Sequence, residues 1–250
     1  TVYERIRNGR ISKEEFTSDP PHNLPSSPTP LIGREKELAE ISEMLANPDC
    51  RLLTLVGPGG IGKTRLSLEV AQQALVSYSD GVYFVPLAAT DSAEDILPRI
   101  AAAVDPENYP AGQTAVDFLP KLSHRDPSLL LVLDNLEQLL PEGTRPIEEL
   151  LTQTRQLKLI VTSREALNLR WEWRHDLDGL AHPSVETTDP RSYAAVEMFL
   201  ERLRHTRREP LAQAEVQAAA QICRLVGGMP LGIELAAAQA ARLSPAVIAQ

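Results

Sequence analysis

From residue 31 onward the chain switches repeatedly between two hydrophobic periods. In LIGREKELAEISEMLA, Leu38, Ile41, Met44 and Leu45 recur at helical spacing, and an Asn-Pro-Asp turn then leads into the unbroken apolar run Leu52 to Val56. That order predicts a helix feeding a buried strand. A helix after Gly62, a strand at Val82 to Pro86, helices around Ala93 to Val104 and Ala115 to Leu122, and a strand at Leu129 to Leu133 follow. A helix around Ile147 to Arg155 and a strand at Leu159 to Thr162 continue the series. Continuous apolar strands alternating with helices predict an α/β fold, a parallel sheet covered on both faces. Beyond about residue 180 the strand signal ends, and helices are predicted at Ser192 to Arg207, Glu215 to Val226 and Leu231 to Leu243, the middle one stopped by Gly227 and Gly228.

These patterns divide the chain into four. Residues 1–19 carry a short amphipathic pattern, with Val2, Tyr3, Ile6 and Ile11 among Arg5, Arg7, Arg10 and Lys13, and read as the tail of an upstream domain. Residues 20–30, PPHNLPSSPTP, hold five prolines and predict an extended, semi-rigid linker. Residues 31–180 form the α/β unit and residues 181–250 a small all-α subdomain. The chain lacks an initial Met and stops inside an Ala-rich helical pattern, so it is expected to be a piece of a longer protein.

Composition narrows the function. With 43% hydrophobic and 24% charged residues, a chain of 250 residues buries a real core and is not disordered or collagen-like. Twenty-five basic against 34 acidic residues leave a net charge of −9, the wrong sign for gripping a nucleic-acid backbone. No direct nucleic-acid binding is expected. Cys50 and Cys223 lie too far apart for a CxxC pair or a zinc-ligand set, and the longest apolar runs are far below the roughly 18 residues that span a bilayer. A cytoplasmic protein without a membrane partner is the expectation.

The sharpest chemical signal is GPGGIGKT, Gly57 to Thr64, set between an apolar strand and a helix start. In such a loop Gly57, Pro58, Gly59, Gly60, Ile61 and Gly62 turn backbone amides toward a phosphate, and the helix N-terminus adds its positive end. Lys63 reaches the outer phosphate oxygens, Thr64 ligates magnesium, and Arg65 follows beside the bound nucleotide. In LLLVLDNLEQL a strand delivers Asp134 to the sheet edge where a magnesium-bound phosphate would sit. Alone, Asp134 reads equally well as a helix cap completed by Glu137; behind a phosphate loop, magnesium binding is the better reading.

Efficient hydrolysis needs a carboxylate that orients the attacking water, yet the residue after Asp134 is Asn135. Glu137 is the candidate that remains, and slow hydrolysis is expected. In KLIVTSRE a strand end brings Thr162, Ser163 and Arg164 to the same edge, where Arg164 would meet a γ-phosphate. No NKxD-type segment selects guanine, and the five histidines form no HExxH-like set. The tryptophans of RWEWRHDL alternate at strand period and read as packing residues of an edge strand. Arg202, Arg204, Arg207 and Arg208 read as a solvated helix face.

Together these motifs resemble the STAND class of signal-transduction ATPases, the NB-ARC and NACHT-like switch proteins, in their bacterial regulator form. The resemblance covers residues 31–250, with LIGRE, GPGGIGKTRL, LVLDNLEQL, VTSRE and GGMPLGIELAA in the family's order. It implies that Ile32, Gly33 and Arg34 line an adenine pocket, that Arg164 senses the γ-phosphate, and that Pro230 closes the helical subdomain over the base. Met229 and Gly232 depart from the leucine and alanine usual beside that proline. The N-terminal stretch resembles the end of a SARP-type activator domain, and the family's winged helix and repeat sensor would follow Gln250. The implied function is an ATP/ADP switch with Mg2+, self-associating when ATP is bound and passing its state to DNA-binding and sensor domains of the parent protein. An actively hydrolysing AAA+-type remodelling ATPase is the alternative, and a scaffold with a vestigial loop is a third.

Overall fold

The computed structural model describes residues 20–26, 29–112, 115–187, 189–204, 212–240 and 242–249. The amphipathic stretch 1–19, together with Arg207 and Arg208, lies outside them. Five parallel strands, β1 Leu52–Val56, β2 Gly81–Pro86, β3 Leu129–Asp134, β4 Lys158–Ser163 and β5 Glu172–Asp176, form one sheet in the order β2-β3-β4-β1-β5. The strands with the longest buried runs, β1, β3 and β4, are central, while the mixed β5 is at one edge and β2 at the other. In β3, Leu129, Leu131 and Leu133 enter one core and Leu130 and Val132 the other, because successive side chains leave opposite faces of a strand. β5 carries Trp173 against the sheet core, whereas Trp171 precedes the strand and is 43% exposed.

Helices α1 Glu35–Ala46 and α2 Lys63–Ala74 cover one face, and α3 Ile96–Val104, α4 Phe118–Arg125 and α5 Thr144–Gln153 the other. α4 starts and ends three residues later than its pattern predicts, and α5 begins three residues earlier. Both carry a proline, Pro120 and Pro146, in the first turn, where a missing N–H costs no helical hydrogen bond. A single 3-10 turn capped by Ser92 opens the expected Ala93 helix.

The remaining helices, α6 Ala194–Arg204, α7 Gln213–Leu225, α8 Pro230–Gln239 and α9 Pro245–Ile248, surround a separate core that includes Phe199, Ile222 and Ile233. This helical layer is held to the sheet layer by close backbone approaches. The Leu180 N–H, just past β5, donates to Gly228 O at 2.8 Å. Gly228 has φ +67°, and a Cβ there would lie 2.0 Å from Leu180 O, so only glycine allows this contact.

The proline-rich stretch is more than a spacer. Val82 N–H donates to Pro21 O at 3.0 Å, and the Asn23 amide accepts from Phe84 N–H at 2.6 Å and donates to Phe84 O at 2.9 Å. Residues 21–23 thereby cover the open edge of β2, which proline content alone does not reveal, because the pairing combines one main-chain bond with the side-chain amide of Asn23. Among the described residues no helix is long and apolar enough to cross a membrane.

Candidate functional site

The loop between β1 and α2 is built by its glycines. Gly60 and Gly62 have φ of +81° and +99°, conformations that L side chains rarely adopt, and they turn the chain into the first turn of α2. Lys63 folds back over the loop, where its ammonium donates to Gly57 O at 2.7 Å and Pro58 O at 3.1 Å. Burial pushes this lysine below its ordinary pKa, opposed by the nearby Glu137 and Asp134 carboxylates. It stands 6% exposed and preorganised for an anion.

Under the loop, β4 lies between β1 and β3, and this topology creates a hydroxyl bridge. Thr64 Oγ1 and Thr162 Oγ1 both donate to Asp134 Oδ1, at 2.6 and 2.7 Å, and Thr162 Oγ1 also accepts from Asn135 N–H at 2.9 Å. Asp134 therefore does not cap a helix. The following turn, Leu136–Leu139, starts from Asn135 at φ +66° without a side-chain cap. Beside it, Glu137 Oε1 accepts from Arg164 Nε at 3.1 Å, and Glu137 Oε2 is buried with no partner among the described residues.

These groups open onto a cavity of about 500 Å³, in the range of small-molecule sites. Of the residues assigned from sequence, Ile32, Arg34, Gly59, Gly60, Ile61, Gly62, Lys63, Thr64, Arg65, Glu137, Arg164 and Pro230 line it. Gly57, Pro58 and Asp134 stand behind the wall. Arg65 Nε and Nη2 are buried and unpartnered among the described residues. Although the chain carries −9, the cavity wall holds five basic side chains, Arg34, Lys63, Arg65, Arg164 and Arg202, against Glu137 and Glu234. It is a cationic trough in an acidic protein, suited to a polyphosphate.

Two expectations change, and a third residue gains an added task. Arg34 lines the cavity and is 3% exposed, and its guanidinium also donates to Ile61 O at 3.2 Å and Asp178 O at 2.7 Å while pairing with Glu37, which fastens the loop to α1 and to the chain after β5. Gly33 does not line the cavity and packs instead against Ala194 at the start of α6. Arg202 is not on a solvated face, because α6 turns it into the cavity, where Nε and Nη2 reach Glu234 Oε1 at 3.1 and 2.8 Å.

Leu180, Met198, Leu231, Arg202 and Glu234 complete the end away from Asp134; Leu231 and Glu234 stand in GGMPLGIELAA and Arg202 in the arginine cluster, yet no local pattern assigns any of the five to the site. They come from three segments that meet only in the fold. Thr162 was visible as a strand-end residue of VTSRE, but its partners were not.

Residues 30–162 match the AAA ATPase domain family. An uncharacterised Mycobacterium tuberculosis protein is 34% identical over 223 residues, which cover 88% of this chain and 53% of the relative. A second M. tuberculosis protein, whose name describes an HTH-type transcriptional regulator, is 36% identical over 205 residues, 80% of this chain and 21% of its own length. The chain thus spans about half, or about a fifth, of these relatives. Among solved structures, Cdc6p from Pyrobaculum aerophilum superposes with a TM-score of 0.56 at 17% identity, covering 87% of this chain and 64% of that one. That likeness supports the P-loop NTPase fold seen in the sheet order and the loop. With more than half of its residues, including the phosphate loop and Asp134, inside the matched region, the chain belongs to the AAA ATPase domain family.

Proposed function

We propose that this module binds an adenine nucleotide with Mg2+ and acts as a slow ATP/ADP switch of the STAND type within a longer transcriptional regulator. The observation that carries the reading is the junction of phosphate loop and helical layer. Leu231 N–H, in the first turn of α8, donates to Gly60 O at 3.2 Å, and a Cβ on Gly60 would lie 2.8 Å from the Leu231 side chain. Through this contact a shift of the loop is passed to the start of α8. A nucleotide with different affinities for two such arrangements shifts their populations, which is what a switch requires.

Each residue takes a role in this reading. Lys63 and the loop amides hold the β- and γ-phosphates. Thr64 and Asp134 supply adjoining hard oxygens that fit a magnesium ion, which commonly takes one or two protein oxygens and completes its shell with phosphates and water. When bound, the ion supplies charge neutralisation at the phosphates. Ile32 and Pro230 border the base, in line with the STAND resemblance. In this reading Arg164 is the γ-phosphate sensor and Glu137 the water-orienting base, and the two are paired with each other at 3.1 Å. Together with Asn135 after Asp134, this supports slow turnover.

ATP-dependent self-association and coupling to DNA-binding and sensor domains of the parent protein belong to the same proposal, and the regulator-named relative supports the DNA-binding part. The protein should be purified, denatured, and the released nucleotide identified by chromatography beside a Lys63→Ala variant. Near-stoichiometric ADP or ATP from the wild type alone is expected. Absence of bound nucleotide together with no binding of Mg-ATP refutes the reading. Turnover above about one per second, an ordinary working-enzyme rate, would favour the remodelling ATPase instead.

A further inference from the structure

Lys63 and its loop mark the phosphate end of the cavity, and more fixed charge gathers there. Besides its own burial, the charge that acts most on the Lys63 ammonium is Glu137, ahead of Arg164 and Asp134. Asp134 is tied to the Thr64 and Thr162 hydroxyls. Glu137 is held by one oxygen only: Oε1 accepts from Arg164 Nε at 3.1 Å, while Oε2 is buried without a hydrogen-bond partner among the described residues. Its side chain is 12% exposed, so solvent screens this carboxylate poorly.

Arg164 completes the group. Its Nη2 would lie 3.6 Å from a Cβ on Gly59, which sets the guanidinium beside the phosphate loop as well as on Glu137. The fixed charges at this end therefore balance, Lys63 and Arg164 against Asp134 and Glu137. The loop gathers the phosphates of either nucleotide, and ATP brings one more of them, with more negative charge, than ADP does. Arg164 attracts that added charge, but Glu137 repels it and already holds Arg164. Such repulsion is several times stronger in a partly dry site than in water. ADP requires no exchange of partners.

We propose that Glu137, by holding Arg164, sets the preference of the site toward ADP, so that a triphosphate must take Arg164 from it. The proposal rests on the nucleotide reading and gives Glu137 a task beyond orienting water. It also gives the switch a defined resting state, because a ligand shifts an equilibrium only by its differential affinity.

The test is equilibrium binding of Mg-ADP and of the Mg complex of the β,γ-imido analogue of ATP, which resists hydrolysis. Wild type, Glu137→Gln, Glu137→Ala, Arg164→Gln and Lys63→Ala are compared, with thermal midpoints to follow folding. Wild type is expected to bind ADP more tightly than the analogue. Glu137→Gln keeps the shape but removes the charge, and should raise affinity for the triphosphate relative to the diphosphate by roughly ten- to a hundredfold, the worth of a hydrogen bond to a charged group. Glu137→Ala should act in the same direction, and decides if the glutamine variant does not fold. Arg164→Gln alters a side chain that is 68% exposed, so the fold should stand, and the ratio should move the other way. A glutamate that only orients water lowers turnover when replaced and leaves the affinity ratio alone. A pair that only ties β4 to the turn after β3 lowers the thermal midpoint and also leaves it alone. Either result overturns the proposal, as does a wild type that prefers the triphosphate. Failure of the underlying reading looks different, because then neither nucleotide binds or Lys63→Ala binds as wild type does.

Discussion

Thr162→Val isolates the hydroxyl bridge beneath the phosphate loop while leaving the cavity wall intact. Thr162 is fully buried on β4, and valine matches its shape. The change removes a donor from the Asp134 carboxylate and an acceptor from Asn135 N–H. A lost hydrogen bond to a charged group costs about 1.5–3 kcal/mol, and a buried N–H left unpaired about 1–3 kcal/mol. Burying a methyl in place of a hydroxyl returns roughly 1 kcal/mol, and Asn135 is only half-buried, so the net loss should be about 3 kcal/mol. For a chain of this size that lowers the thermal midpoint by roughly 6–12 °C. Urea denaturation of wild type, Thr162→Val and Thr162→Ser reads it directly. Serine keeps the hydroxyl and should lose no more than about 1 kcal/mol, the worth of one methyl. A valine variant as stable as the serine variant would refute the bridge as a stabilising element.

Other expectations follow from the same structure. Gly228→Ala should cost about 3 kcal/mol, from a left-handed backbone that disfavours a Cβ and from displacement of the Leu180 N–H bond, and an unchanged thermal midpoint would show that the two layers do not depend on this approach. Burial pushes the Cys50 thiol up to about 11 and the Cys223 thiol up to about 12, so neither should react with a thiol reagent in the native protein. Because the folded state retains these protons after an unfolded thiol, near 9.0, has released its own, stability should be full below about pH 9 and fall between about pH 9 and 12. Denaturation midpoints across that range, compared with a Cys50→Ala, Cys223→Ala double variant, check the sign. Asn23→Ala should speed amide exchange at Phe84 and cost about 1 kcal/mol, since water replaces the exposed bonds, without altering nucleotide affinity.

The phosphate loop was legible because its chemistry is local. Glycines, Lys63 and Thr64 must be consecutive for amides, ammonium and hydroxyl to converge on one phosphate, so the string itself carries the geometry. Apolar runs marked the buried strands for a similar reason, since a strand covered on both faces cannot alternate. The starts of α4 and α5 differ from the pattern by three residues because Pro120 and Pro146 sit where a first turn tolerates them. The bonds of Arg34 were hidden because a motif names a residue without saying which way it points, and only the packed fold shows its guanidinium bonded to Ile61 and Asp178 carbonyls. The docking of residues 21–23 on β2 was hidden in the same way.

By itself the sequence determined that this protein is a parallel α/β unit with a phosphate loop, a strand-end Asp134 and a helical layer behind it, because period, turn residues and loop chemistry are properties of neighbouring positions. Tertiary structure alone decided that β4 enters between β1 and β3 and joins Thr64, Asp134 and Thr162 into one bridge. It also decided that α6 and α8 bring Arg202, Glu234 and Leu231 to the cavity. Those contacts join residues 28 to 171 positions apart, and nothing in the local pattern records a distance that long-range packing sets.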